Sequence, residues 1–144
     1  MTNSTERRPT AAVGVVVFRD KDVLLIQRGK EPNKGSWSIP GGRQEWGETV
    51  QDSARREIKE ETNISLKDLT LLDALDLIER DINHQVTRHY TLIDFYAFAE
   101  DDSRPIPGDD AVNAEFVPLP EALERVKWEE TKRIISLAAE KVGL

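Results

Sequence analysis

The chain has no cysteine, which excludes a disulfide framework and any thiol chemistry. No apolar run approaches the length of a membrane span, and the opening residues, MTNSTERRPT, lack the apolar core of a secretion signal. A cytoplasmic location is therefore expected. Cations are the minority charge: 20 Lys and Arg stand against 27 Asp and Glu, a net charge of −7, which argues against a nucleic-acid polymer or an anionic membrane as partner. It does not argue against a phosphorylated small molecule, because a bound metal ion would reverse the sign locally. The two histidines, His84 and His89, have no metal-ligand spacing and are read as structural. Internal repeats, low-complexity tracts and linkers are also missing. What remains is a 144-residue chain, 38% hydrophobic and 33% charged, the composition of one charged globular domain with enough chain for a core. Residues 1–9 are expected to be a flexible tail and residues 10–144 the domain.

Hydrophobic patterning gives a mixture of strands and helices. AAVGVVVF at 11–18 reads as a strand buried on both faces. Residues 19–22 form a turn, and VLLIQ at 23–27 closes a hairpin. Further strands are expected at 37–39, 69–79, 86–99 and 114–117. The one at 86–99 has two largely apolar faces and should be central, covered on both sides. A polar loop at 30–36 and an acidic loop at 100–112 separate them. A helical turn is expected at 120–126, and a last helix at 129–142 with Ile134, Ile135, Leu137 and Ala138 toward the core. The sum is a mixed β-sheet with helices on both faces, an α/β/α sandwich.

The remaining stretch, GGRQEWGETVQDSARREIKEETNI at 41–64, organises the rest. Its first part has the residues of a tight loop. Its second part is a helix: Thr49 can cap the N-terminus with Asp52 three residues on, no Pro or Gly interrupts 50–62, and Asn63 can end it in a left-handed conformation. On that helix Val50, Ala54 and Ile58 form an apolar stripe. Glu57 and Glu61 lie one turn apart at its edge, with Glu60 beside them. Like charges at such spacing repel by roughly 0.2–0.5 kcal/mol per pair, so three acids beside a buried face call for a cation. A hard divalent ion such as Mg²⁺ suits carboxylate oxygens. Arg56 can orient one carboxylate from behind.

The order Gly42, five residues, Glu48, seven residues, Arg56-Glu57, Ile58, one residue, Glu60-Glu61, one residue, Asn63, Ile64 resembles the Nudix box, with Asn63 where that family has Gly. WSIPGG before it, HYTLIDFYA after it and GDDAVNAEF near the end are similar to the ADP-ribose pyrophosphatase type, and the resemblance covers nearly the whole chain. It implies a Nudix-type α/β/α sandwich. It also implies hydrolysis of a nucleoside diphosphate derivative with Mg²⁺, for which Mn²⁺ could substitute. Glu60 and Glu61 would be metal ligands, and Glu57 a ligand or the general base. The Gly41 carbonyl would complete the coordination, Arg56 would orient a carboxylate, and Glu48 would tie loop to helix.

Outside the box, Arg28 would either hold a substrate phosphate or make a surface ion pair. Trp37 would either stack on a base or pack in the core. In the loop at 109–110, an acid, Asp110 in particular, could reach the metal or act as base. Asp94, inside an apolar strand, reads as a paired structural acid. The expected function is hydrolysis of a nucleoside diphosphate sugar such as ADP-ribose. The alternative is a (d)NTP pyrophosphohydrolase that sanitises the nucleotide pool. A non-catalytic nucleotide sensor is a third class, and it would have lost box carboxylates, whereas all are present here. A small nucleotide is the expected partner, with no nucleic-acid polymer and no membrane, and the resemblance allows a homodimer.

Overall fold

The computed structural model describes residues 7–144. The expected tail falls outside these residues at 1–6, and residues 7–9 are irregular and exposed. Strand β1 (Thr10–Arg19) is buried from Ala12 to Phe18, because its alternating side chains enter two different cores. A turn at Asp20, φ 54°, leads into β2 (Asp22–Arg28). The two strands pair only at Phe18–Val23 and Arg19–Asp22. Beyond that they diverge, and β2 continues against β7 (Ala111–Pro118) and β3 (Trp37–Ser38). The edge of β1 left free by this split is filled by β4 (Gly41–Arg43), antiparallel to it. On its other edge β1 runs parallel to β6 (Val86–Phe98), which pairs in turn with the edge strand β5 (Thr70–Arg80).

Helix α1 (Val50–Thr62) covers one face, where Val13, Val15, Val17 and Phe95 meet Ala54, Ile58 and Ile64. Helices α2 (Leu119–Arg125) and α3 (Glu129–Lys141) cover the other, where Val16, Phe18 and Leu25 meet Ala122, Ile134, Ile135 and Ala138. This is the mixed sheet between helices that the patterning implies.

Four details differ from the sequence reading. The segment at 41–43 is a strand, not a turn; its glycines let two backbones come close, since a Cβ on Gly41 would stand 2.1 Å from the Val13 carbonyl oxygen. Strand β7 begins at Ala111, pulled into register with Arg28 by a bulge. Strand β6 is paired on both edges from Tyr90 onward, but residues 86–88 are exposed and reach beyond the start of β1, with β5 as their partner strand. In α3 the buried positions are Thr131, Ile134, Ile135, Ala138 and Ala139, with Leu137 only half-buried, as the 3.6-residue period requires. Among the described residues no helix is long and apolar enough to cross a membrane.

Candidate active site

Helix α1 starts where Thr49, in an extended conformation, accepts the Asp52 N–H at 3.0 Å. It stops at Asn63, left-handed at φ 66°, whose N–H donates to the Lys59 carbonyl at 2.9 Å. Both caps are those expected. With Ala54 and Ile58 packed on the sheet, Glu57 and Glu61 are turned toward β4.

The ladder orients β4. Gln44 N–H donates to Ala11 and Val15 N–H to Pro40, each at 3.1 Å, so Gly41 lies between bonded positions and directs both its N–H and its carbonyl away from β1. Its N–H donates to Glu61 Oε1 at 3.0 Å. The neighbouring Gly42 faces Glu57, and a Cβ there would stand 2.2 Å from Glu57 Oε2. Glycine at 42 therefore makes the space the Glu57 carboxylate occupies.

One guanidinium ties the acids together. Arg56 donates to Glu48 at 2.7 and 3.0 Å, to Glu57 at 2.8 Å, to Glu60 at 3.2 Å and to the Arg43 carbonyl at 3.1 Å. It was expected to orient one carboxylate and instead bridges three. Glu48 also accepts the Glu45 N–H at 3.1 Å. Its hydrogen bonds from Arg56 hold its carboxyl down at about 2, and in return Glu48 raises Arg56 above the ordinary arginine value. Burial pushes Glu57 up, against the pull of Arg56. Burial pushes the enclosed Glu61 up to about 7, opposed by the Gly41 N–H and reinforced by the Glu57 charge.

A distant loop completes the group. Arg19, stacked over Phe116 at 4.1 Å, donates to the carbonyls of Asp101 at 2.7 Å and Ser103 at 2.9 Å. Ile106 N–H then donates to Thr62 at 2.9 Å and Gly108 N–H to Glu61 at 3.0 Å, satisfying carbonyls at the end of α1. The chain so held presents Asp109, left-handed at φ 52°. One oxygen from each of Glu57, Glu60 and Asp109 lies within 4.8 Å of the others. An all-oxygen set of this kind suits a hard divalent cation.

Of the residues singled out in the sequence, Gly41, Arg56, Glu57, Glu60 and Glu61 come together. Asp110 does not join them: its carboxylate pairs with Lys30 at 2.7 Å, which lowers its pKa, and its neighbour Asp109 takes the place facing the acids. Trp37 packs on the core beneath α2 and α3, the face opposite α1, with Arg125 over its ring at 4.6 Å. The stacking role is thus not supported by its position, while the packing alternative is. Arg28 Nε donates to the carbonyls of Lys30 at 3.0 Å and Pro32 at 2.7 Å. It shapes the loop at 30–36 from the rim of the site, close enough for its charge to act on Asp110. Arg19 and Arg43 carry no local sequence signal, because their side-chain partners lie on strands and loops far away in the chain.

The NUDIX domain matches residues 8–138. The ADP-ribose pyrophosphatase of Methanocaldococcus jannaschii is 37% identical over 111 residues, which cover 77% of this chain and 63% of that protein. The 8-oxo-dGDP phosphatase NUDT18 of Homo sapiens is 42% identical over 60 residues, 42% of this chain and 19% of that one. The chain thus matches less than two thirds of the length of either relative. Among solved structures, a MutT NUDIX hydrolase from Burkholderia pseudomallei superposes with a TM-score of 0.74 at 27% identity, covering 91% of this chain and 98% of that chain.

Proposed function

The chain belongs to the NUDIX family, and on that premise we propose that it hydrolyses the diphosphate linkage of a nucleoside diphosphate derivative, with a nucleoside diphosphate sugar such as ADP-ribose as substrate and Mg²⁺ as cofactor. The observation that carries this reading is the convergence of Glu57, Glu60 and Asp109 within 4.8 Å beside the space left by Gly42. Those three carboxylates would hold the ion, with Glu61 and the Gly41 carbonyl at its inner side; Mn²⁺ could replace Mg²⁺ on the same hard-oxygen set. A bound divalent ion supplies charge neutralisation for the phosphates and helps to deprotonate a water.

The chain's own residues do the rest by positioning, which dominates phosphoryl chemistry. Arg56, itself anchored by two bonds to Glu48, fixes the rotamers of Glu57 and Glu60 through one bond to each. Glu61 is fixed beside them by the Gly41 N–H. Arg28 stands at the rim where a phosphate would pass. ADP-ribose is favoured by the 37% identity to a protein of that activity. The second reading, hydrolysis of a (d)NTP to the monophosphate in pool sanitation, has in its favour the similarity to a protein acting on a damaged nucleotide, an 8-oxo-dGDP phosphatase. A cytoplasmic location, matching the absence of cysteine, and a homodimer belong to the same reading.

The test is a panel of ADP-ribose, other nucleoside diphosphate sugars and (d)NTPs with Mg²⁺, products separated by anion exchange. AMP with ribose 5-phosphate is the expected result. Release of pyrophosphate from (d)NTPs alone would select the second reading, and no turnover of any member would remove both.

A further inference from the structure

In a chain where acids outnumber bases, one groove reverses the balance. It is an open trough of about 810 Å³ between residues 7–10 and the β5–β6 hairpin, and its charged lining is Arg7, Arg8 and Arg88 against Asp81. Tyr90 also lines it. The guanidinium groups of Arg43 and Arg88 lie 5.8 and 6.0 Å from the Tyr90 ring centroid, and Arg43 donates to the Tyr90 hydroxyl at 3.0 Å. Register explains that reach. Ala12 pairs with Arg43 on one side and Leu92 on the other, so Arg43 crosses β1 over a single methyl group. The ion pair of Arg88 with Glu79 is long, 3.9 Å, and solvent-exposed, and such a pair holds a side chain weakly.

We propose that this groove binds a second phosphate of the substrate, a phosphate monoester on the ribose of the nucleoside, away from the diphosphate that is cleaved. The inference rests on the pyrophosphohydrolase reading above. Three features point to it. Planar arginine forks match phosphate oxygens two at a time. A positive trough on an anionic protein draws anions to that place and not elsewhere. The groove is also joined to the acidic cluster by one short strand: Gly42 of β4 makes room for Glu57, and the next residue, Arg43, bonds Tyr90. Strands β4 and β6 flank β1, so they are two strand spacings apart, roughly 10 Å, the scale of one nucleoside. Successive strand residues face opposite sides, so Gly42 serves the α1 face and Arg43 the other, and a ligand reaching from the acids to the arginines rounds β4, which pairs only with β1 in the sheet.

The experiment compares ADP-ribose with ADP-ribose bearing a 2′-phosphate on its adenosine, in steady-state kinetics with Mg²⁺, for the wild type, Arg88→Gln and Arg43→Gln. Calorimetric titration of the phosphorylated ligand without metal runs beside it. The wild type should show a KM about tenfold lower for the phosphorylated substrate, the worth of one charge-assisted bond. Both substitutions should erase that preference, and Arg88→Gln should leave kcat and KM for ADP-ribose unchanged. Equal KM values in the wild type, or a preference that survives both substitutions, would overturn the proposal. So would inorganic phosphate binding as tightly as the nucleotide, which would reduce the groove to an unselective anion patch. The two readings fail separately: arginine-dependent binding without turnover of either compound refutes the hydrolase and supports the groove, whereas turnover without preference does the reverse.

Discussion

Replacing Asp94 with Asn should stabilise the protein at neutral pH and do so progressively as pH rises. Asp94 is 5% exposed on β6, level with Gly14 of β1 and Asp73 of β5. Its carboxyl leans on the bare Gly14, where a Cβ would be 2.6 Å from Oδ1. Burial pushes the group up to about 7 from an ordinary 3.8; the Asp73 and Glu130 charges add to this, and Arg133 opposes it. Arg133 is engaged with Asp73 at 2.9 Å and with Glu130 at 3.1 Å, so it cannot serve Asp94 fully. The folded state therefore keeps a proton that the unfolded chain has released between pH 4 and 7, and over that window stability falls as pH rises. At 1.36 kcal/mol per pKa unit the loss is complete above pH 7 and amounts to about 4 kcal/mol, with about 1.5 kcal/mol of it already incurred at pH 5. Against a typical domain stability of 5–15 kcal/mol that is a large fraction. Asn keeps the shape and cannot ionise. Urea denaturation of wild type and Asp94→Asn at pH 4.5, 6 and 8, followed by tryptophan fluorescence, should give a gap of only about 1 kcal/mol at the lowest pH and one approaching 4 kcal/mol at the highest. Titrating groups distant from Asp94 cancel in that difference. A gap that does not change with pH, or a variant less stable than wild type at pH 8, would refute the reasoning.

Gly42→Ala should fold normally yet lose at least about a hundredfold in kcat, because its Cβ displaces the carboxylate of Glu57 and misplaced catalytic groups are costly on that scale; circular dichroism and initial rates check both halves. Glu48→Gln removes the partner that takes two Arg56 donors, so kcat should drop while KM for the nucleotide stays, a split that steady-state kinetics resolves. Asn63→Gly should leave activity unchanged and stability equal or slightly higher, since Gly takes the φ of 66° without strain. A large activity loss would instead mean that the long contact of Asn63 Nδ2 with the Arg104 carbonyl, 3.5 Å, positions the loop of Asp109.

What could be read in the sequence is what is local. Both caps of α1 and its apolar stripe are set within the helix, and Thr49, Asn63 and Ile58 behave as their side chains dictate. The two-faced burial of β1 follows from an unbroken apolar run. The strand at Gly41–Arg43 was hidden because its residues were chosen for what they lack, and glycine pairs read as turns when no partner strand is known. Which of Asp109 and Asp110 faces the acids depends on Arg19, 82 and 84 residues away from the carbonyls it holds, and on Gly108 bonding the end of α1. The side to which Trp37 turns depends on Arg125 and Val126, again beyond any local pattern.

Hydrolysis as proposed requires Glu57, Glu60 and Asp109 to hold a divalent ion. Melting temperature with and without saturating Mg²⁺, measured beside the rate of ADP-ribose hydrolysis, tests it most directly in wild type, Glu57→Gln, Asp109→Asn and Asp110→Asn. Binding to the folded state alone adds about 2.7 kcal/mol at a hundredfold excess over Kd. Wild type and Asp110→Asn should gain stability from Mg²⁺ and turn over ADP-ribose, while Glu57→Gln and Asp109→Asn should gain far less and be slower by at least about a hundredfold. Equal Mg²⁺ stabilisation and equal rates in all four proteins would contradict it.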